Sequence, residues 1–118
     1  MLNMEQQIHF DIFFMDEAMK FIRSLPVSAQ RKIFHNADRI SNGLINNELF
    51  KKLSGDTDLW EFRTLHNGIQ YRLLAFWDNH KKRMVVATHG FVKKTWKIPY
   101  KEISKAESLR KKYYESNY

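Results

Sequence analysis

Three runs of alternating apolar and polar residues occur in the second half of the chain. They span Leu59–Leu65, Ile69–Trp77 and Arg83–Phe91. Polar turn sequences separate them, first His66–Gly68 and then Asp78–Lys82. Alternation with a period of two is typical of a strand with one buried face, and Asn-Gly between two such runs is a strong hairpin signal. The pattern therefore predicts three consecutive antiparallel strands, a β-meander.

The residues before this meander predict a short strand and two helices. Gln6–Ile12 alternates loosely and predicts a strand, whereas apolar residues in Phe14–Ser24 recur at helical spacing. Pro26 ends this first helix, because proline interrupts helical hydrogen bonding. Ser28 is the expected N-cap of a second helix, which ends near Gly43. Together the two helices predict an αα-hairpin.

The remaining residues predict one more helix and no further strand. Asn46–Asp58 is polar and irregular and contains a turn signal at Ser54–Asp56. Pro99 closes the meander and favours the start of a helix, here Tyr100–Tyr114. The predicted order is β-α-α-β-β-β-α. It indicates an α+β fold in which a helical hairpin and a C-terminal helix pack on a small antiparallel sheet. A chain of 118 residues is expected to form one such domain, over 1–118.

The composition indicates a globular protein with a polyanionic partner. Hydrophobic residues make up 43%, and 20 Lys and Arg against 13 Asp and Glu give a formal net charge of +7. This surplus favours nucleic acid or an acidic protein segment. The absence of cysteine excludes disulfides, thiolate zinc sites and cysteine nucleophiles, and it suits a reducing cytoplasm. The first residues lack the cationic start of a signal peptide, and no apolar run reaches transmembrane length, so no membrane partner is expected.

Charged residues interrupt the first two strands of the meander, where a purely structural sheet needs none. Alternation puts Trp60 and Phe62 on the expected core face, and Glu61 and Arg63 on the expected outer face. In the next strand Arg72 falls on a partly apolar face. An unpaired buried charge is costly, so Arg72 needs a partner, either Glu61 or an incoming phosphate. A surface ion-pair lattice with Glu61 explains the two arginines equally well.

A histidine and two lysines follow at the end of the third strand. His89 lies beside Gly90, whose missing side chain lets a backbone or a ligand approach closely. Lys93 and Lys94 come directly after. Taken singly, a strand-end histidine is more often structural than catalytic, and a lysine pair is usually a solvated turn. The histidines show no metal-binding spacing, so no metal and no cofactor is expected; they are His9, His35, His66, His80 and His89.

Several stretches, taken together, form a more specific series than any of them alone. They are Lys52-Leu53, Leu59-Trp60-Glu61-Phe62-Arg63, Tyr71-Arg72-Leu73-Leu74, Thr88–Thr95, Pro99, Glu102-Ile103 and Ala106. This series resembles the RelE/HigB family, and more narrowly the phage-derived HigB-like branch of type II toxin–antitoxin toxins. With the helical hairpin ending at Pro26, the resemblance covers nearly the whole chain. It implies a small α+β sandwich, in agreement with the predicted order of elements.

The resemblance also implies a function. It implies a ribosome-dependent endoribonuclease that cleaves mRNA in the decoding site and is held inactive by a cognate helix-turn-helix antitoxin. By position in this sequence, the expected catalytic residues are Arg63, Arg72, His89 and Lys93. The residues expected to bind RNA are Lys52, Phe91, Lys94 and Trp96.

The chemistry of RNA cleavage fits these residue types. The 2′-OH of RNA can attack the adjacent phosphorus, so the reaction requires neither a metal nor a protein nucleophile. Arg63 and Arg72 suit phosphate clamping because guanidinium is planar and bidentate. His89 is the best candidate for the general acid, since its unperturbed pKa is near ~6.5. Phe91 or Trp96 would stack a base, as is common in the recognition of single-stranded RNA.

Two other functions share parts of this pattern. A ParE-like gyrase-inhibiting toxin would have the same fold but no clustered acid and cations. A non-catalytic nucleic-acid-binding domain would keep the basic surface and would bind in a salt-sensitive way without cleavage. Neither alternative accounts as well for His89 beside Lys93 and Lys94.

Overall fold

Five strands and three helices make up residues 9–44 and 46–116, the part of the chain that the structure, a computed structural model, describes. In chain order they are β1 (Asp11–Phe14), α1 (Asp16–Arg23), α2 (Val27–Ser41), β2 (Phe50–Lys52), β3 (Trp60–His66), β4 (Ile69–Trp77), β5 (Met84–Val92) and α3 (Tyr100–Glu115). The strands form one sheet in the order β1-β5-β4-β3-β2. β1 runs parallel to β5, and the other pairs are antiparallel. The predicted α+β fold class is confirmed.

The predicted meander is confirmed as β3, β4 and β5. Asn67 and Gly68, at φ 50° and 75°, form the two-residue turn between β3 and β4. Positive φ at both positions is typical of the type I′ turn, whose twist matches that of the flanking strands. Between β4 and β5 the register shifts at Leu74 and Ala75, and Thr88 is the extra residue. Such a bulge bends the strand locally.

Two boundaries in the helical hairpin differ from the prediction. The first strand is β1, later than the predicted Gln6–Ile12, of which residues 6–8 lie outside the described part of the chain. Phe14 ends β1, where it pairs with Ala87, and does not open the first helix. Ser28 is not an N-cap, because α2 already begins at Val27 after the extended backbone of Pro26. Gly43, at φ 103°, follows the end of α2 as expected.

The predicted order of elements lacks β2, which lies inside the segment expected to be irregular. The Phe50 ring stacks on Trp60 with centroids 4.8 Å apart and contacts Phe62 at 4.6 Å. β2 pairs with the start of β3, with Phe50 opposite Phe62. The intrinsic strand propensity of these three residues is weak, so β2 depends on this packing for its stability.

The sheet separates two apolar cores. The helical hairpin packs Ile22, Ile33 and Ile40 against one face, where the predicted core residue Phe62 is buried. α3 packs Ala106 and Tyr113 against the other face. The fold is therefore a three-layer arrangement in which the sheet is covered on both sides.

Candidate functional site

The sheet face under α3 also carries the charged residues of the meander. Cross-strand neighbours form two adjacent rows, Lys51, Glu61, Leu74 and His89 in one, and Arg63, Arg72 and Phe91 in the other. Leu74 and Phe91 belong to the core beneath α3. The register therefore brings Glu61, Arg63 and Arg72 side by side next to this core.

Glu61 bridges the two arginines. Its Oε1 lies 3.5 Å from Arg63 Nε, and its Oε2 lies 3.4 Å from Arg72 Nε. The expected ion pairing is confirmed, but the expected exposure of Glu61 is wrong. Glu61 is 5% exposed because it lies between two guanidinium groups on a face that is partly covered. The result is an Arg–Glu–Arg cluster in which Glu61 and Arg72 are buried and Arg63 is partly exposed, and not a surface lattice.

Arg72 is the most constrained member of this cluster. Its side chain is 4% exposed. Nη1 donates to the Tyr71 carbonyl at 3.1 Å, and Nη2 donates to Gln70 Oε1 at 2.7 Å. Burial lowers the pKa of Arg72, Glu61 opposes this shift, and Arg63 adds to it. Arg72 therefore supplies a fixed positive charge behind the surface, whereas Arg63, with 29% of its side chain exposed, reaches the surface.

A groove of about 580 Å³ opens in front of Arg63, and we call it the basic groove. Its lining residues come from β2, the β3–β4 hairpin and the segment after β5, and they are Lys51, Arg63, Gln70, Lys93, Lys94, Thr95 and Trp96. Four predicted site residues from two stretches of sequence are thus brought together, Arg63 from β3 and Lys93, Lys94 and Trp96 from the segment after β5. Trp96 is 91% exposed, so its indole ring is available to a ligand.

Lys93 lies among other cations in this groove. Burial lowers its pKa, and the positive charges of Arg72, Arg63 and Lys51 lower it further, whereas Glu61 opposes them. A lysine in such surroundings gives up a proton more readily than an ordinary lysine. Lys93 can therefore serve as an acid as well as a cation.

His89 lies on the same sheet face as Arg63 and Arg72 but does not line the basic groove. It is 1% exposed, so its ring is not accessible from the basic groove. Nε2 lies 3.1 Å from Glu102 Oε1 in the first turn of α3, and Nδ1 lies 3.1 Å from Thr88 Oγ1. α3 covers the ring, which no property of β5 alone reveals.

The protonation of His89 follows from these partners. Burial lowers its pKa, while the hydrogen bond to Glu102 opposes the shift and Lys105 adds to it. A neutral ring with its proton on Nε2 can donate to the Glu102 carboxylate. The Thr88 hydroxyl donates to the Leu74 carbonyl at 3.1 Å, and its Oγ1 lies 3.1 Å from His89 Nδ1. The segment that carries Lys93, Lys94 and Trp96 runs from β5 to α3. The contact between His89 and Glu102 joins these two elements.

Two residues expected to bind RNA lie away from the basic groove. Phe91 is 9% exposed and packs in the core beneath α3, so it is not available to stack a base. Lys52 pairs with Asp58 at 3.6 Å and lines a different groove, near Trp77. The register of β2 puts its neighbour Lys51 opposite Glu61 instead.

The close approach expected at Gly90 is made by the protein itself. A Cβ at this position would lie 2.2 Å from Phe21 Cδ2 and 2.6 Å from Leu73 Cδ2. Phe21 belongs to α1, on the face away from the basic groove. Gly90 therefore makes room for the helical hairpin. The side chains of Phe21 and Leu73 fill the space that a ligand was expected to approach.

Lys51 and Gln70 line the basic groove and were not among the predicted site residues. The alternation of β4 already puts Gln70 on the face of Arg72, so a signal for it existed in the sequence. No such signal exists for Lys51, since its position depends on the unpredicted strand β2.

Two further kinds of site are absent from the described residues. Within residues 9–44 and 46–116, no cluster of three or more His, Asp or Glu side chains is arranged to hold a metal ion. No helix in the same ranges combines the length and the apolar character needed to cross a bilayer.

Comparison with known proteins gives a family. No individual curated protein matches the chain. The family model of the phage-derived Gp49-like proteins matches residues 20–111, which include α2, the whole meander, the basic groove and most of α3. Because this match spans well over half of the sequence, the chain belongs to the phage-derived Gp49-like family.

Proposed function

We propose that this protein is the toxin of a type II toxin–antitoxin system and acts as a ribosome-dependent mRNA endoribonuclease. The Gp49-like family is of the RelE/HigB toxin type, which supports the toxin assignment. The nuclease assignment rests on one observation. The basic groove joins a partly exposed arginine, two lysines and an exposed tryptophan on a surface backed by the buried charge of Arg72.

The cations of the groove suit an RNA backbone. Arg63 donates from Nη1 to the Asn47 carbonyl at 3.2 Å, and its Nε has no acceptor in good hydrogen-bonding geometry. Because 29% of the Arg63 side chain is exposed and faces the basic groove, a phosphate oxygen can reach its guanidinium group, and such charge-assisted bonds are strong. Lys93 and Lys94 line the same groove and can contact flanking phosphates. Trp96 offers a π-face on which a base of single-stranded RNA can stack.

The proposed reaction is an internal transfer of the phosphodiester. The 2′-oxygen attacks phosphorus and forms a cyclic phosphate, while the bond from phosphorus to the 5′-oxygen breaks. Water in the open groove accepts the 2′-OH proton, and the leaving 5′-oxygen takes a proton from Lys93. Arg63 neutralises the charge that develops on the phosphorane oxygens, and Arg72 strengthens that field from behind. Glu61 is held between the arginines and so serves as their counter-ion.

Lys93 replaces His89 as the general acid in this scheme. Lys93 lies in the groove with a lowered pKa, whereas His89 is buried under α3 and bound to Glu102. A lowered pKa brings the lysine closer to the ideal for general acid catalysis at neutral pH. His89 then acts by holding the segment that carries Lys93.

Cleavage of mRNA on programmed ribosomes tests the proposal, with mapped 5′ ends as the readout. Lys93→Arg keeps the positive charge but not the titratable amine, so we expect cleavage to fall by about 10²-fold or more. Its affinity for RNA should change little. Lys111→Ala, which removes an exposed lysine of α3 outside the groove, is the matched control.

Two results would contradict the proposed function, and a third would contradict the role of Lys93. Intact mRNA together with inhibited DNA supercoiling would favour a gyrase-inhibiting toxin. RNA binding without any cleavage product would favour a non-catalytic binding domain. Cleavage by Lys93→Arg at the native rate would remove Lys93 from the role of general acid.

A further inference from the structure

A second groove adjoins the basic groove on the side of the helical hairpin. Its volume is about 390 Å³, and it lies between α2 and the end of β3. Lys32, Asn36 and Arg39 line it from α2. Their spacing of four and then three residues puts them on one face of the helix, so they follow the groove in a row.

The charge of this second groove is positive. Lys32 and Arg39 contribute cations from the helix, and Arg63 and Arg72 contribute them from the sheet, against the carboxylate of Glu48. Lys32 and Arg39 are exposed, so their ends can move to accommodate a ligand. A groove with this balance of charge suits a polyanion.

The two grooves share a wall. Arg63 and Gln70 line both of them. Arg63 therefore stands where the basic groove passes into the second groove. A polyanionic strand that lies in the basic groove can continue past Arg63 towards Lys32 and Arg39.

Asn36 gives the second groove a polar group with unused hydrogen-bonding capacity. It is 4% exposed, and its Nδ2 donates to Thr64 Oγ1 at 3.1 Å. Within the described residues, no protein group donates to its Oδ1. A buried carbonyl oxygen without a donor is costly, so a ligand that supplies an N–H group gains a hydrogen bond there.

We propose that the second groove binds the continuation of the RNA strand and that Asn36 reads one of its bases. This inference rests on the proposed function, because it extends the same RNA beyond the basic groove. Lys32 and Arg39 take the phosphates. Asn36 Oδ1 accepts a hydrogen bond from the exocyclic amino group of a base, such as the N6 amino group of adenine. Asn36 is thus a specificity-determining residue.

The salt dependence of RNA binding tests the phosphate contacts. The probe is a fluorescein-labelled single-stranded oligouridine that carries one adenosine, with binding followed by anisotropy. Lys32→Ala and Arg39→Ala should each reduce the slope of log K against log salt by about 0.7, the effect of one lost phosphate contact on single-stranded nucleic acid. Arg31→Ala is the matched control, because Arg31 is an exposed neighbour on α2 that does not line the groove.

A base analogue tests Asn36 without any mutation. Replacing the single adenosine with purine riboside removes only the amino group. Moving this nucleotide along the oligouridine should reveal one position at which adenosine binds the native chain about 5-fold more tightly than purine riboside, as expected for one hydrogen bond. Asn36→Ala should abolish that preference. The loss of RNA affinity caused by Lys94→Ala should be the same with or without Asn36→Ala.

The outcomes separate this inference from the proposed function. If RNA binding depends on Lys93 and Lys94 but Lys32→Ala and Arg39→Ala behave like Arg31→Ala, the second groove is not part of the RNA site. If adenosine and purine riboside bind equally at every position, Asn36 does not read a base. If the chain cleaves mRNA on programmed ribosomes but does not bind the oligonucleotide, this inference fails and the proposed function stands. If it neither binds the oligonucleotide nor cleaves mRNA on ribosomes, the proposed function itself fails. A loss of affinity for an acidic protein partner alone, with RNA binding intact, would overturn the inference in favour of a protein-docking groove.

Discussion

His89 Nε2 lies 3.1 Å from Glu102 Oε1, and this contact ties the end of β5 to the first turn of α3. The segment between these two residues carries Lys93, Lys94 and Trp96, which line the basic groove. The hydrogen bond between His89 and Glu102 holds the two ends of this segment together and so limits how far it can move. We therefore propose that His89 positions this segment, whereas the sequence favoured it as the general acid.

Variants of His89 separate positioning from proton transfer. His89→Gln keeps an N–H donor that can reach Glu102, so we expect it to retain most of the cleavage activity. His89→Ala removes both the donor and a buried ring, and we expect its free energy of unfolding to fall by about 2–4 kcal/mol. Urea denaturation and the ribosomal cleavage assay provide the two measurements. Equal inactivation by both changes, with unfolding unaffected, would restore His89 as the general acid.

The lowered pKa of His89 predicts a loss of stability in mild acid. In the unfolded chain the imidazole titrates near its usual pKa of 6.5, whereas burial lowers the pKa in the folded state. Between these two values the unfolded chain binds more protons than the folded one, so stability falls as the pH drops. The stability that comes from burying the neutral His89 is fully present above pH 6.5 and is lost as the pH falls through the pKa of the folded state. Urea unfolding at a series of pH values should show this slope for the native chain and a smaller one for His89→Gln. Identical slopes would show that other groups cause the acid sensitivity.

Removal of the Glu61 charge should destabilise the Arg–Glu–Arg cluster. Glu61→Gln leaves two arginines without a counter-ion, one of them almost fully buried, so we expect a cost of about 3 kcal/mol in the free energy of unfolding. Glu107→Gln, at the more exposed pair with Arg110, should cost less than about 1 kcal/mol.

Inorganic phosphate should partly compensate for Glu61→Gln. An anion between Arg63 and Arg72 replaces the lost charge, and binding to the folded state raises its stability. We expect phosphate to raise the melting temperature of Glu61→Gln by more than that of the native chain at equal ionic strength. An equal rise in both would show that the two arginines do not form an anion site.

Packing at Gly90 provides a test of the fold that is independent of function. Gly90→Ala places a methyl group against Phe21 and Leu73, so we expect a loss of about 1–3 kcal/mol from overpacking. Phe21→Leu offers more room, and the combination Gly90→Ala with Phe21→Leu should cost less than the sum of the two single changes. Additive effects in urea denaturation would contradict direct contact between these positions.

Much of the fold was predictable because local signals and tertiary contacts agree. The alternation of the three strands and the turn at Asn67 and Gly68 specify the meander directly. β2 was not predictable, since Phe50 forms a strand through its contacts with Trp60 and Phe62 on another strand. The short parallel strand β1 likewise depends on its pairing with β5.

Strand alternation predicted which site residues share a face, but not which part of that face is covered. It put Arg63 and Glu61 together correctly. It could not show that α3 would cover His89 and Phe91, because this depends on packing between distant parts of the chain. The exposure of Trp96 and the burial of Glu61 also depend on packing between distant parts of the chain. The face that these residues share was thus easier to predict than their accessibility.

The parallel pairing of β1 with β5 has a consequence for synthesis of the chain. Asp11 is one of the first described residues, yet its partner in the sheet is Met84. During translation, β1 stays without that neighbour until β5 has left the ribosomal exit tunnel. Contacts between such distant positions slow folding, because loop closure costs entropy before pairing stabilises the strand. A growing chain thus remains unable to assemble the finished sheet, and with it the basic groove, until β5 has emerged.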